Sequence, residues 1–214
     1  MPPDPTATRD KLLDAAAALF AERGVANVSL AEIVRAADQR NRSALHYHFG
    51  GRDQVVEAIL ARHVPALRER RLALLATAQA APPDDVRSVA EALVRPVTEL
   101  AQRGWRERAY LQIGAELAGQ LDRTTPEMRR QFRQTAGPEV MALLAERCAV
   151  PEDVWRARAL IGNAFVGRAA ADWARTLDRG GRDALPDDRW VDNLVDMFVA
   201  MMTAPVAGGD VKQA

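Results

Sequence analysis

The side chains best suited to specific chemistry lie near the N-terminus of this chain, between Val28 and Arg52. From Gln39 onward this segment carries arginine, asparagine, histidine and tyrosine, and it contains no aspartate or glutamate. Arginine can donate two hydrogen bonds to a guanine edge, and Asn, Ser and His can bond bases or phosphates. The pattern therefore favours contact with a nucleic acid. The candidate contact residues are Ser29, Arg40, Asn41, Arg42, Ser43, His46, Tyr47, His48 and Arg52.

Two short helices must hold these side chains. Ser29, followed three residues later by Glu32, predicts a capping box, and apolar residues at helical spacing come after it. Asp38-Gln39-Arg40 predicts a turn, and Asn41 is a suitable cap for the next helix. Two helices joined by a tight turn form a helix-turn-helix, whose second helix enters the DNA major groove. The alternative is an ordinary solvated helix pair, and the agreement between cap, spacing and polar outer face weighs against it.

Helical patterns cover the rest of the chain. The first predicted helix, 8–23, ends at Gly24, and a long helix begins near Asp53 and should bend at Pro65. Its buried stripe is predicted to comprise Val55, Val56, Ile59, Leu60, His63 and Leu67. The remaining patterns span 85–102, 105–120, 126–148, 152–178 and 187–202. No stretch is typical of a strand, so the predicted fold class is all-α.

The segment Ala44-Leu45-His46-Tyr47-His48-Phe49-Gly50 resembles the signature that closes the recognition helix in the TetR family of transcriptional repressors. The resemblance covers about residues 8–60. It implies an N-terminal three-helix DNA-binding domain, 6–52, and a helical ligand-binding and dimerisation domain, 53–203. About nine helices are then expected in total.

The resemblance also implies roles for single residues. Leu45 and Phe49 match core positions of the signature. Tyr47 and His48 match residues that lie against the phosphate backbone, and Arg52 matches a basic residue that holds a phosphate. Arg42 and Ser43 match positions that face base edges.

Two departures from the family pattern affect the turn and the recognition helix. Asp38 replaces the usual turn glycine, and the turn is one residue longer than the commonest form, which leaves Arg40 and Asn41 less secure as base readers. Aspartate can adopt the left-handed conformation at some cost. His46 stands where tyrosine is most common, so Tyr47 is expected to make the phosphate contact alone.

The last two predicted helices are expected to form a homodimer. Gly162 lies among small residues that would let another helix come close, and Phe198 belongs to a wide apolar band on the final helix. The alternative is that both helices are interior helices of a monomer. Residues expected to line an effector cavity are Trp105, Tyr110, Gln112, Glu116, Met128, Phe132, Phe165 and Trp173, together with Asn163; plain core packing is the alternative for each.

Composition limits the other classes of function. The formal net charge is +0, and the chain has three histidines. It has one cysteine, so no internal disulfide can form. The histidines give no Ser-His-Asp set, and His46 and His48 project to different sides of a helix, so we expect no metal, no cofactor and no enzyme. The first residues contain no apolar run, and we expect a cytoplasmic protein without a membrane partner. Cys148 is expected to be a small buried residue.

The sequence therefore predicts a bacterial, ligand-responsive transcriptional regulator. We expect a repressor that binds a palindromic operator as a homodimer and is released by a small-molecule effector. One alternative is a DNA-binding regulator or architectural protein without an effector. The other is a helical enzyme.

Overall fold

The computed structural model describes residues 5–39, 41, 43–181, 185 and 187–206. These residues form ten α-helices and no β-strand, which confirms the all-α class. The helices are α1 (Pro5–Arg23), α2 (Leu30–Ala36), α3 (Ala44–Phe49), α4 (Arg52–Ala80), α5 (Val86–Arg103), α6 (Trp105–Ala118), α7 (Pro126–Gln134), α8 (Gly137–Arg147), α9 (Glu152–Asp178) and α10 (Asp187–Thr203).

The tenth helix arises from a break that the sequence analysis missed. The predicted helix 126–148 is two helices, because Ala136 adopts a left-handed conformation with φ of 60°. Thr135 ends α7, and Pro138 lies in the first turn of α8, where its missing N–H costs nothing. The Gly137-Pro138 pair could have indicated this boundary.

Helix α4 connects the N-terminal helices to the rest of the molecule. All six predicted stripe residues are buried, and the helix continues through Pro65, whose ring lies on the exposed side. The same stripe continues through Arg71, Leu75 and Ala78, which are also buried. An arginine therefore occupies a position that the helical period assigns to the core.

Helix α5 is the centre of the larger helical body. It packs against α4, α6, α8, α9 and α10. Small and β-branched residues such as Ala90, Val94 and Ala101 are fully buried along it, so the neighbouring helices can come close. Burying each valine or leucine side chain contributes about 1.5–3 kcal/mol to folding.

Helices α9 and α10 pack against each other within one chain. A Cβ atom built on Gly162 would lie 2.8 Å from Cε2 of Phe198, and Phe198 is fully buried. Trp173 of α9 stacks on Trp190 of α10 with ring centroids 4.6 Å apart. The small face around Gly162, predicted to receive a second protomer, is thus covered by α10 of the same chain. The outer side of the pair instead exposes Leu160, Ile161 and Met197.

No helix in the described ranges is long and apolar enough to cross a membrane. Cys148 is a buried free thiol, as predicted, and its burial raises its pKa.

Candidate functional site

Helix α2 begins with the predicted capping box. The Ser29 hydroxyl accepts a hydrogen bond from the Glu32 N–H at 3.2 Å, and the Glu32 carboxylate accepts one from the Ser29 N–H at 2.8 Å. The hydrogen bonds that the Ser29 hydroxyl and the Ser29 N–H donate to the Glu32 carboxylate, with a further bond from Arg23, lower the pKa of Glu32 to about 2. The Ser29 hydroxyl also donates to Glu32, so its observed role is to begin α2.

The turn after α2 is a Schellman motif with Asp38 in the left-handed position, at φ of 53°. The Asp38 N–H donates to the carbonyl of Arg35 at 3.1 Å, and the Gln39 N–H donates to that of Val34 at 3.0 Å. Aspartate thus takes the conformation predicted for it in place of glycine.

Helix α3 presents a polar outer face. Ala44 and Leu45 are buried against the other N-terminal helices, whereas Ser43, His46 and Tyr47 are exposed, Tyr47 to 84%. The predicted contact residues Arg40 and Arg42 lie outside the described residues. These exposed side chains give α3 the form of a recognition helix.

Asn41 does not cap α3, contrary to the sequence analysis. Helix α3 begins at Ala44, and Ser43, two residues after Asn41, occupies the cap position. The Asn41 side chain instead accepts a hydrogen bond from the Ser43 N–H at 2.9 Å. Asparagine readily forms such a turn with the backbone two residues on, so it shapes the approach to α3.

The end of α3 fixes the orientation of its rings. Nδ1 of His46 lies 2.7 Å from the carbonyl oxygen of Gly50, so in the neutral ring Nδ1 carries the proton and Nε2 is an acceptor. His48 is half-buried, and its ring makes an edge contact with Tyr47. Arg9 of α1 lies over the Phe49 ring, 4.9 Å from its centroid. Arg9 therefore adds a cation beside α3, and only the tertiary structure brings it there.

One peptide at the start of the 3₁₀ turn Val25–Asn27 is held from both sides. The N–H of Val25 donates to both carboxylate oxygens of Glu116 at 3.2 Å, and its carbonyl accepts from Arg52 Nη1. Gly24, with φ of 85°, brings the backbone against this carboxylate. Glu116 belongs to α6 and Arg52 begins α4, so both of these helices are hydrogen-bonded to the segment between α1 and α2. Arginine has five N–H donors, so the bond to Val25 leaves Arg52 able to bind a phosphate.

A second polar contact joins the same helices. Asp14 of α1 receives hydrogen bonds from Arg106 of α6 at 2.9 and 2.6 Å and from Arg62 of α4 at 2.8 Å. The bond from Arg106 is the largest cause of the lowered pKa of Asp14. Helix α6 therefore contacts the N-terminal helices near both of its ends.

The helical body contains a cavity of about 370 Å³, in the range of small-molecule sites. Its wall is mostly apolar and comes from α4 to α9. Lining residues include Leu67, Arg71, Leu93, Val97, Tyr110, Leu111, Gly114, Phe132, Arg133, Thr135, Met141 and Asn163.

Only some of the predicted effector residues line this cavity. Tyr110 and Phe132 do, as does Asn163. The other predicted residues lie outside this cavity lining. Two of them make polar contacts, since Glu116 accepts from Val25 N–H and Gln112 donates to Asp178 at 2.9 Å, and two aromatic ones lie near other side chains, Trp173 stacked on Trp190 and Trp105 39% exposed beside Arg106. Met128 is buried and Phe165 is half-buried.

Arg71 is a cavity residue that was not among the predicted effector residues. Its side chain is buried, and it lines the cavity from α4. The available signal was its place in the apolar stripe, four residues after Leu67 and four before Leu75. Among the described residues, no group of His, Cys, Asp and Glu could hold a metal ion.

The N-terminal domain matches a known family. Residues 12–59, from α1 into α4, match the model of the bacterial regulatory proteins of the tetR family. A comparison with curated proteins gave no significant sequence match.

Solved structures share the fold over nearly the whole chain. A TetR-family transcriptional regulator from Bordetella parapertussis 12822 is 17% identical, with a TM-score of 0.63 over 89% of this chain and 93% of that one. NalD, the secondary repressor of the MexAB-OprM multidrug efflux pump in Pseudomonas aeruginosa, is 22% identical, with a TM-score of 0.54 over 93% and 97%. A gamma-butyrolactone receptor, described as ArpA-like, is 24% identical, with a TM-score of 0.52 over 91% and 98%.

Proposed function

We propose that this chain is a DNA-binding transcriptional regulator of the TetR family, as the match of residues 12–59 to the tetR-family model and the shared fold support, and that it is a repressor that a small molecule releases from a palindromic operator. The proposal depends most on the hydrogen bonds that Glu116 and Arg52 form with the Val25 peptide. Glu116 and Arg52 grip this peptide from α6 and α4, the two helices that also line the cavity through Tyr110 and Arg71. A molecule in the cavity therefore touches the helices that position the DNA-binding domain.

The proposed DNA contacts divide into two kinds. Arg42 and Ser43 would face base edges, with Arg40, Asn41 and His46 beside them. Phosphate contacts would come from Tyr47, His48 and Arg52, and Arg9 joins this group because it lies beside α3. Base contacts specify sequence, and phosphate contacts position the protein. We retain 6–52 as the DNA-binding domain and 53–203 as the body.

A second copy of this chain is the proposed partner of the outer face of α9 and α10. Ala157, Leu160, Ile161 and Ala164 lie on one exposed side of α9, and Met197 is exposed on α10. Their spacing gives α9 a continuous apolar stripe on its outside. A two-fold dimer presents two α3 helices, which fits the two half-sites of a palindrome.

Release by a ligand would follow from displacement of α4 and α6. A shift of either helix would move the peptide at Val25 and so change the separation of the two α3 helices. A ligand shifts this equilibrium only by its difference in affinity for the two states. The coupling is reciprocal, so operator DNA should weaken ligand binding by the same factor.

The similarity of this fold to NalD, a repressor, supports the repressor role, and its similarity to a gamma-butyrolactone receptor supports a small-molecule ligand. The test is selection of bound sequences from random duplex DNA by the purified protein, followed by transcription from a promoter that carries the selected site. Enrichment of a palindrome and reduced transcription are expected. Enrichment of no sequence would leave an architectural protein as the better account, and activation would contradict the repressor.

A further inference from the structure

The cavity wall contains a cation, Arg71, that forms no ion pair with any described carboxylate. Arg71 is nine-tenths buried and lines the cavity, and none of the described carboxylates lies within ion-pair distance of it. The nearby Glu139 is engaged by Arg68 at 3.2 Å. Buried charges in proteins are normally paired, because burial without a partner is costly.

The guanidinium is only partly satisfied. Nη1 donates to the carbonyl of Thr135 at 3.2 Å and to its hydroxyl, whereas Nε is fully buried and has no hydrogen-bond partner in the described part of the chain. An arginine offers five donors in a planar fork that matches a carboxylate or phosphate. The bonds to Thr135 use donors on Nη1, so the remaining N–H donors of the guanidinium can bind another group.

The surrounding wall suits an apolar molecule with one polar end. Leu67, Leu93, Val97, Leu111 and Met141 line the cavity around Arg71. An apolar body placed there would be removed from water, while its polar end would face the guanidinium.

Tyr110 supplies a further polar group in the same cavity. Its side chain is buried, and burial raises its pKa to about 12, so the hydroxyl keeps its proton and can donate. Within the described part of the chain, this hydroxyl makes no hydrogen bond. It is thus a second available donor.

We propose that the cavity binds an amphipathic anion, a carboxylate on an apolar body, whose charged end pairs with Arg71. This inference rests on the proposed ligand response and adds the chemical class of the ligand. Such an anion would also act on the break between α7 and α8, because Thr135 holds the guanidinium and a Cβ on Gly137 would lie 3.3 Å from Nη1.

Calorimetry on the full-length protein tests the charge preference without DNA. The probes are octanoate and 4-phenylbutyrate, each compared with its primary amide and with the amine of equal length. We expect at least one carboxylate to bind about tenfold or more tightly than its amide, because hydrogen bonds to a charged group are stronger than neutral ones.

Variants locate the preference. Arg71→Gln should remove the preference for the carboxylate over its amide, and Arg71→Lys should retain part of that preference. Circular dichroism should show that both variants fold. Arg71→Met occupies similar space if the glutamine variant does not fold. Arg133→Gln is the matched control, because Arg133 lines the same cavity but is exposed, and it should keep the preference.

Equal binding of amide and carboxylate, a preference that survives in Arg71→Gln, or no binding of either carboxylate at millimolar concentration would overturn the inference. A carboxylate that binds through Arg71 but leaves operator affinity unchanged would support this inference and contradict the proposed ligand response.

Discussion

The N-terminal domain and the helical body place their polar side chains in opposite ways. Helix α3 carries Ser43, His46 and Tyr47 on its exposed face, where water solvates them until a partner arrives. The body instead holds Arg71 nine-tenths buried in the wall of a mostly apolar cavity, where its Nε has no hydrogen-bond partner among the described residues. An exposed polar face suits a large polyanion such as DNA, whose binding weakens as the salt concentration rises. A buried cation instead selects a small anionic ligand of defined shape. This contrast supports the proposed contact of DNA with α3 and of a ligand with the cavity of the body.

The largest effect is expected from a charge on the proposed dimer face. Replacing Leu160 and Ile161 by glutamate should raise the dimer dissociation constant about a hundredfold or more, because an unpaired charge buried at an interface costs about 3–5 kcal/mol. Both side chains are exposed in the single chain, at 66% and 59%, so the fold should survive. Leu72→Glu is the control, since Leu72 is an exposed leucine on α4. Analytical ultracentrifugation that shows the double variant still dimeric would place the interface elsewhere.

The next effect separates base reading from phosphate contact. Arg42→Ala should weaken operator binding by about 1–3 kcal/mol and relax the preference at one base pair of each half-site. Arg52→Ala should weaken operator and random DNA alike and reduce the salt slope by about one unit. Titrations at several salt concentrations measure both.

The reverse outcome, in which Arg42→Ala weakens all sequences equally and Arg52→Ala alters base preference, would mean that α3 docks differently. Thermal melting of Arg52→Ala is needed beside the titrations, because this residue also bonds the carbonyl of Val25.

A smaller effect concerns pH and the body alone. Burial is the main cause of the lowered pKa of His63, with Arg62 and Arg103 adding to it and Glu107 opposing it. The folded protein therefore binds fewer protons than the unfolded chain at pH values just below the ordinary histidine pKa of 6.5. Its free energy of unfolding should be full above that pH and fall as the pH drops through this window. His63→Phe should flatten the fall, as measured by urea denaturation. An identical slope in the variant would contradict the assignment.

The smallest effect concerns the turn of the N-terminal domain. Asp38→Gly should stabilise the protein by about 0.5–1 kcal/mol, because glycine adopts the left-handed conformation without strain but loses more entropy on folding. Differential scanning calorimetry measures the shift, and Asp38→Ala is the control expected to give no gain. A destabilised glycine variant would show that the Asp38 side chain contributes more than its backbone conformation costs.

The two regions also differ in how far the sequence predicts them. The capping box at Ser29, the left-handed Asp38 and the buried stripe of α4 depend on residues a few positions apart, and local patterns predict such features. The cavity is formed by six helices that are distant in sequence. Helical periodicity therefore predicts that Met128 and Trp173 are apolar and buried, but it does not predict whether they pack in the core or line the cavity. Glu116 was predicted to meet a ligand, and it contacts Val25, 91 residues away. No local pattern contains that information.

The central claim is that the cavity and the DNA-binding domain are coupled through α6, and filling the cavity tests it without any knowledge of the ligand. A side chain added at Gly114 of α6 would enter the cavity, since the nearest atom to its Cβ is Cε1 of Phe132 at 3.9 Å. Fluorescence anisotropy should show that Gly114→Leu binds the selected operator about tenfold more weakly than the unmodified protein, the scale of a typical allosteric coupling. Ala76→Leu is a control, because this alanine is exposed on α4 and does not line the cavity. A folded, dimeric Gly114→Leu protein with unchanged operator affinity would contradict the account.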